Sequence, residues 1–116
     1  MKTAIQVRSK IWLEADGRPV LGEGRRTLLR AIEDSGSISR AARRLKITYR
    51  KAWGQIRFME DHLGIPLVLK MTGGVGGGGA SLTPEACELL VKYDRLIAGL
   101  QEKVNERFRE IFLGER

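Results

Sequence analysis

Apolar residues occupy alternate positions at the start of the chain, where Ile5, Val7, Ile11 and Leu13 are separated mostly by polar side chains. A period of two turns one set of side chains toward a core and predicts a half-buried strand over residues 5–14. Asp16-Gly17 then supplies a hairpin turn, and Pro19-Val20-Leu21 returns as a short strand or extended arm. Beyond Gly22 the spacing becomes helical. Leu28, Leu29, Ile32 and the small Ala31 share one face, predicting a first helix over residues 23–35 that Gly36 ends.

From Ser37 the helical pattern tightens. Ser37 or Ser39 can cap a short helix carrying Ala41, Ala42 and Leu45; a break follows at Lys46-Ile47; Thr48 caps a second helix over residues 48–63. In that helix Ala52, Ile56, Met59 and Leu63 form a stripe with the spacing of a buried face. Leu67 to Thr72 reads as a strand, Gly73 to Gly79 as a glycine-rich tip, and Ala80-Ser81-Leu82 as the returning strand of a β-hairpin. Thr83-Pro84-Glu85 opens a last helix with a hydroxyl cap, a proline where the missing N–H costs nothing, and a first-turn carboxylate. The pattern carries this helix to about Phe112.

Leu90, Ile97, Val104 and Ile111 recur every seven residues in it, with Tyr93 and Leu100 at the matching d positions. These six form a candidate seam for a partner helix and hence a homodimer. Arg107 at the next d position and Gly99 beside the seam interrupt the repeat, and the same stripe can pack on the chain's own core. Taken in order, the elements are those of a winged helix-turn-helix: mainly α with a small β component, an N-terminal arm, a three-helix core, a glycine-rich wing and a long C-terminal helix. Residues 1–82 are the expected core and residues 83–116 the terminal helix of the same domain.

Charge adds a direction to this fold. The 116 residues carry 21 Lys and Arg against 14 Asp and Glu, a net charge of +7. Residues 36–72 hold eight basic and two acidic side chains, whereas residues 73–116 hold six and seven. A basic excess concentrated in the helix-turn-helix segment is the footprint of a polyanion partner, because each neutralised phosphate releases condensed counterions; a solvated basic surface is the plainer reading. No apolar run approaches the roughly 20 residues of a spanning helix, and Met1-Lys2 does not lead into a signal peptide, so no membrane association and a cytoplasmic location are expected. One cysteine, Cys87, and one histidine, His62, give no metal-ligand cluster, disulfide or catalytic dyad. Neither a cofactor nor enzymatic activity is expected.

Within the basic segment, Thr48, Tyr49, Arg50 and Lys51 form the first turn of the second helix of the pair, the end that such motifs present to base edges and phosphates. Arg50, Gly54 and Arg57 share the face opposite the apolar stripe. Arg50 can grip a guanine through two hydrogen bonds, and Arg57 is better placed for the backbone. Ser39, Arg40, Arg43 and Arg44 are candidates for phosphate anchoring. On the wing, Lys70, Thr72, Gly73 and Gly74 can approach phosphates or the minor groove; a loose turn is the plainer reading there. Trp53, beside the stripe, reads as core, and Tyr49 either contacts DNA or covers an edge. The glycine run formally contains G-x-G-x-x-G, but a short strand follows it where a dinucleotide fingerprint needs a helix.

Four stretches carry a family resemblance: Gly36-Ser37-Ile38-Ser39-Arg40-Ala41-Ala42-Arg43-Arg44-Leu45, Ile47-Thr48-Tyr49-Arg50-Lys51-Ala52-Trp53, Gly64-Ile65-Pro66-Leu67-Val68, and the run from Thr72 to Thr83. They resemble the N-terminal DNA-binding domain of ModE-type molybdate-responsive regulators, and the half from Gly36 to Pro66 is also similar to LysR-type DNA-binding domains. Tyr49, Trp53 and the Thr-Gly-Gly of the wing favour the ModE type. The resemblance implies a double-stranded DNA partner and a transcriptional role. ModE-type regulators continue into a molybdate-binding region of small β-barrel modules that this chain does not contain, so molybdate binding by the chain itself is not expected. The rival reading is a winged helix that docks on an acidic protein without reading sequence.

Overall fold

The computed structural model describes residues 4–71 and 79–115. Its elements run β1 (Leu13–Ala15), β2 (Arg18–Leu21), α1 (Glu23–Ser35), α2 (Ile38–Arg44), α3 (Tyr49–Leu63), β3 (Val68–Met71), β4 (Gly79–Leu82), α4 (Pro84–Ile97) and α5 (Leu100–Phe112). β1 pairs antiparallel with β2, and β3 with β4, as two separate hairpins. The winged helix-turn-helix expected from the sequence is therefore the fold. No helix among the described residues is long and apolar enough to cross a membrane.

Local chemistry accounts for the helix boundaries. The side chains of Ser37, Thr48 and Thr83 each accept the backbone N–H three residues on, which satisfies a donor that the first turn would otherwise leave unpaired. Of the two serines that could cap α2, Ser37 does so. α2 ends in a Schellman turn: Ile47 N–H donates to the Ala42 carbonyl at 3.0 Å and Lys46 N–H to that of Arg43 at 3.1 Å. The position between them is left-handed, and Lys46 occupies it at φ 59° where glycine is usual.

Leu28, Leu29 and Ile32 of α1, Ala41 and Ala42 of α2, and Ala52, Ile56 and Met59 of α3 close one core with Leu21, Leu67 and Leu90. The wing root is tied to it. Glu60 accepts the backbone N–H groups of Leu67 and Val68 at 2.7 and 3.2 Å, and Thr83 Oγ1 donates to the Pro66 carbonyl at 2.7 Å. Ala80 N–H donates to the Gly36 carbonyl at 2.8 Å.

Two expectations are corrected. The strand predicted over residues 5–14 is reduced to Leu13–Ala15, because β2 offers only four residues to pair with and the register already slips between Leu13 and Glu14. Ile5 and Ile11 are exposed. The preceding arm lies along the C-terminal helices instead: Gln101 receives Ser9 N–H and hydroxyl on Oε1 at 2.9 and 2.7 Å and donates Nε2 to the Val7 carbonyl at 3.0 Å. Tyr93 donates its hydroxyl to the Ile11 carbonyl at 2.6 Å.

The single helix predicted to reach Phe112 is broken. Ala98 is extended and Gly99 is left-handed at φ 77°, so α4 and α5 are separate. Leu90 and Tyr93 are buried in the chain's own core and cannot serve as an exposed seam, while Ile97 packs against that core. The domain is long for its size, 61 × 31 × 21 Å.

α1 and α4 are clamped by charge. Asp94 receives Arg26 through both carboxylate oxygens and Arg30 through Oδ2 at 3.0 Å. The Arg26 hydrogen bond, and after it that of Arg30, hold the Asp94 carboxyl below its ordinary value of 3.8. The stabilisation is thus complete above pH 3.8 and disappears as pH falls through the lowered value. Asp94→Asn is expected to lower unfolding free energy by about 1 kcal/mol at neutral pH, discounted for partial solvent exposure. Urea unfolding of both proteins at neutral and strongly acidic pH checks this; a difference that does not shrink in acid contradicts it. Lys46→Gly is expected to raise stability by about 1 kcal/mol by removing left-handed strain, read in the same titration.

Candidate nucleic-acid interface

α2 buries Ile38, Ala41 and Ala42, and by helical spacing its remaining positions turn outward; Ser39, Arg40, Arg43 and Arg44 are all exposed. α3 buries Ala52, Ile56 and Met59, which leaves Arg50, Gly54 and Arg57 exposed on the opposite side. Thr48, Tyr49 and Lys51 are exposed at its first turn, and Lys70 is exposed on β3. Thr72, Gly73 and Gly74 lie outside the described residues.

Among the described residues, Arg44 alone of these cations meets an acid, Asp34 at 3.8 Å, a distance that makes an exposed and weak pair. Several nearby acids are used elsewhere: Asp94 and Glu33 pair with arginines of α1, and Glu60 is turned inward to the wing root. Arg40, Arg43, Arg50, Lys51, Arg57 and Lys70 thus present uncompensated charge.

Tyr49 and Trp53, four residues apart on α3, are joined to the wing. Trp53 Nε1 donates to the Tyr49 hydroxyl at 2.7 Å, and Lys70 Nζ donates to the same oxygen at 3.1 Å. The Lys70 ammonium lies 4.9 Å from the centre of the Trp53 ring and 5.9 Å from that of Tyr49. Lys70, and after it Trp53, lower the Tyr49 hydroxyl from the ordinary phenol value of 10.0. Trp53 does pack against the core, as its place beside the stripe predicts, yet its polar edge belongs to the surface cluster. That polar role was missed by the sequence reading; the spacing of Tyr49 and Trp53 was its only local signal.

His62 donates Nδ1–H to the Phe58 carbonyl at 2.9 Å and stacks on the Phe58 ring at 4.0 Å, a structural role at the far end of α3. No group of three His, Cys, Asp or Glu that could hold a metal occurs among the described residues.

Two adjacent helices with an exposed basic side, the second capped and aimed outward beside a β-hairpin, define the chain as a winged helix-turn-helix domain. It belongs to the bacterial regulatory helix-turn-helix proteins of the lysR family, whose model matches residues 26–87. Among curated proteins it is 34% identical to the molybdenum transport protein ModE of Azotobacter vinelandii over 97% of this chain and 43% of that protein. It is 44% identical to the DNA-binding transcriptional dual regulator ModE of Escherichia coli over 66% of this chain and 29% of that one. The chain spans less than half the length of these relatives. Among solved structures it resembles the CbnR_DBD–DNA complex, with a TM-score of 0.54 and 22% identity over 74% of this chain and 92% of that one. The BenM_DBD/catB site 1 DNA complex gives 0.55 and 22% over 77% and 93%. These structures share the fold.

The cap of α3 tests how the interface is held. Thr48→Ala removes the acceptor of Lys51 N–H and is expected to cost about 1 kcal/mol of stability. Thermal unfolding followed by circular dichroism measures it, and an unchanged midpoint would show that water replaces the cap without loss.

Proposed function

We propose that this chain is the DNA-reading part of a transcriptional regulator, binding double-stranded DNA sequence-specifically as a homodimer and performing no catalysis. The observation that carries the reading is the exposed, uncompensated charge of α2, α3 and β3 on a helix-turn-helix scaffold. The names of the ModE relatives and the DNA complexes of its structural neighbours support it. What the remaining length of those relatives does is not carried over.

In this reading α3 enters the major groove with its capped end leading. Arg50 contacts a base pair, Gly54 lets the backbone come close, and Thr48 and Lys51 flank the contact. Arg57 lies further along the groove wall. Ser39, Arg40, Arg43 and Arg44 hold phosphates and fix the register. Thr72, Gly73 and Gly74 belong to the same reading as wing contacts.

For the dimer, the surface moves from the seam expected in the sequence to α5. That helix has no buried residue, Val104 and Leu100 are half-buried, and Ile111 and Phe112 are 68% and 67% exposed. Burying such side chains against a second copy removes apolar area that the monomer leaves in water. Val91 and Leu96 of α4 are exposed as well.

Selection of bound sequences from a random duplex pool at physiological salt is expected to yield an inverted repeat, with half-sites about 34–36 Å apart or a multiple of that spacing. Arg50→Ala is expected to reduce discrimination at one base pair by about 1–3 kcal/mol. Arg43→Ala is expected to weaken all duplexes alike and to lower the salt slope by about 0.9. Recovery of no sequence above the starting pool overturns sequence reading. Sedimentation is expected to show a dimer that Ile111→Glu with Phe112→Glu converts to monomer; a monomeric parent protein overturns the dimer.

A further inference from the structure

A cleft of about 260 Å³ lies between the start of α2, the start of α3 and the wing, lined by Ile38, Ser39, Tyr49, Lys70, Gly79 and Ala80. Among the described residues its polar side chains are two hydroxyls and an ammonium, with no carboxylate. Such a wall has protons to give, and it repels cations.

Tyr49 determines what the cleft can take. A phenol carries one proton and accepts through its oxygen lone pairs. Here the oxygen is already an acceptor twice over, from Trp53 Nε1 and Lys70 Nζ, so the hydroxyl is left with donation as its outward role. Tyr49 is 43% exposed and lines the cleft, so this donor is open to a ligand there. Both incoming hydrogen bonds draw electron density from the oxygen and strengthen it as a donor. Lys70 spends one N–H on Tyr49 and has two more, held in place by the Trp53 ring. Ser39 adds a rotatable hydroxyl on the other wall.

Three donors around one opening fit an oxyanion with several acceptor oxygens, and a base edge, which mixes donors and acceptors, fits less well. We propose that this cleft seats a single phosphodiester of the DNA backbone, held by Tyr49, Lys70 and Ser39, so that Tyr49 is a phosphate donor and not a reader of bases. The site rests on the DNA-binding reading above and goes beyond it in assigning one phosphate to both the recognition helix and the wing strand. Because α3 and β3 grip the same phosphate, the wing is locked to the register of α3 at that point.

The test uses the whole chain and a duplex that it binds. Tyr49→Phe is expected to weaken selected and unrelated duplexes by the same factor, about ten-fold, with an unchanged salt slope, since a neutral donor is lost. Lys70→Met is expected to weaken both and to lower the slope by about 0.9. The double variant is expected to lose less than the product of the two, because the donor strength of Tyr49 depends on Lys70. Circular dichroism confirms that these exposed substitutions leave the fold intact. In duplexes with a neutral methylphosphonate at the same position of both half-sites, scanned along the repeat, a single position is expected to make the wild type and Tyr49→Phe bind equally.

If Tyr49→Phe alters preference among base pairs, or has no effect, or if no methylphosphonate position erases the difference, the phosphate site is wrong while DNA binding stands. If the wild type binds no duplex, the DNA-binding reading itself falls and the site falls with it.

Discussion

The left-handed turn at Gly36 sets the positions of three elements at once. Its N–H donates to the Ile32 carbonyl at 2.8 Å and ends α1, its carbonyl receives Ala80 N–H at 2.8 Å and anchors β4, and the next residue, Ser37, caps α2. A φ of 69° is strained for any residue with a Cβ. The wing strand also comes so close that a Cβ on Gly79 would stand 3.2 Å from the Gly36 oxygen. The end of α1, the start of the helix-turn-helix and the root of the wing therefore meet at one backbone corner. The spacing between recognition helix and wing follows from it, since α3 and β3 are then tied by Glu60 below and by Tyr49 and Lys70 above.

Much of this was legible because it is local. Ser37, Thr48 and Thr83 are caps within three residues of the groups they satisfy, and Gly36 and Gly64 end helices where the apolar stripe stops. The arginines of α2 and α3 lie on exposed surface where helical periodicity turns them, since buried alanines and aliphatics dictate where they point. What sequence could not give is contact across distance. The arm at residues 7–11 alternates like a strand, yet it finds the side-chain amide of Gln101 and the hydroxyl of Tyr93 in place of a strand partner. Nothing in a period of two distinguishes these partners.

The C-terminal helices show a conflict between two periodicities. A heptad running from Leu90 to Ile111 asks for one straight helix, but Leu90 and Tyr93 are already claimed by the core formed with α1. A straight continuation from that core has to satisfy the arm as well, and Gln101 holds the arm from the first turn of α5. Glycine at position 99 resolves the conflict: with φ at 77° it turns the chain after α4 without the penalty that a side chain would bring. The half of the heptad beyond the turn is released from the core, with Leu100 and Val104 half-buried and Ile111 exposed.

Charge is partitioned by the same logic. Arg26 and Arg30 of α1 point toward α4, where Asp94 meets both, so these cations are spent on holding the domain together. Among the described arginines of α2 and α3 only Arg44 meets an acid, in the weak exposed pair with Asp34; the packed sides of those helices are aliphatic, and Glu60 of α3 is bonded to backbone N–H groups of the wing root. The net charge of +7 is thus unevenly spread: Asp94 and Glu60 serve packing, and most cations of α2 and α3 face outward without an acid partner among the described residues. Mutual repulsion among those cations favours any partner that supplies closely spaced negative charge, and the regular phosphates of a duplex supply it at the scale of a helix pair. In the DNA-reading role proposed above, this exposed charge supplies affinity, and discrimination falls to the few side chains at the leading turn of α3.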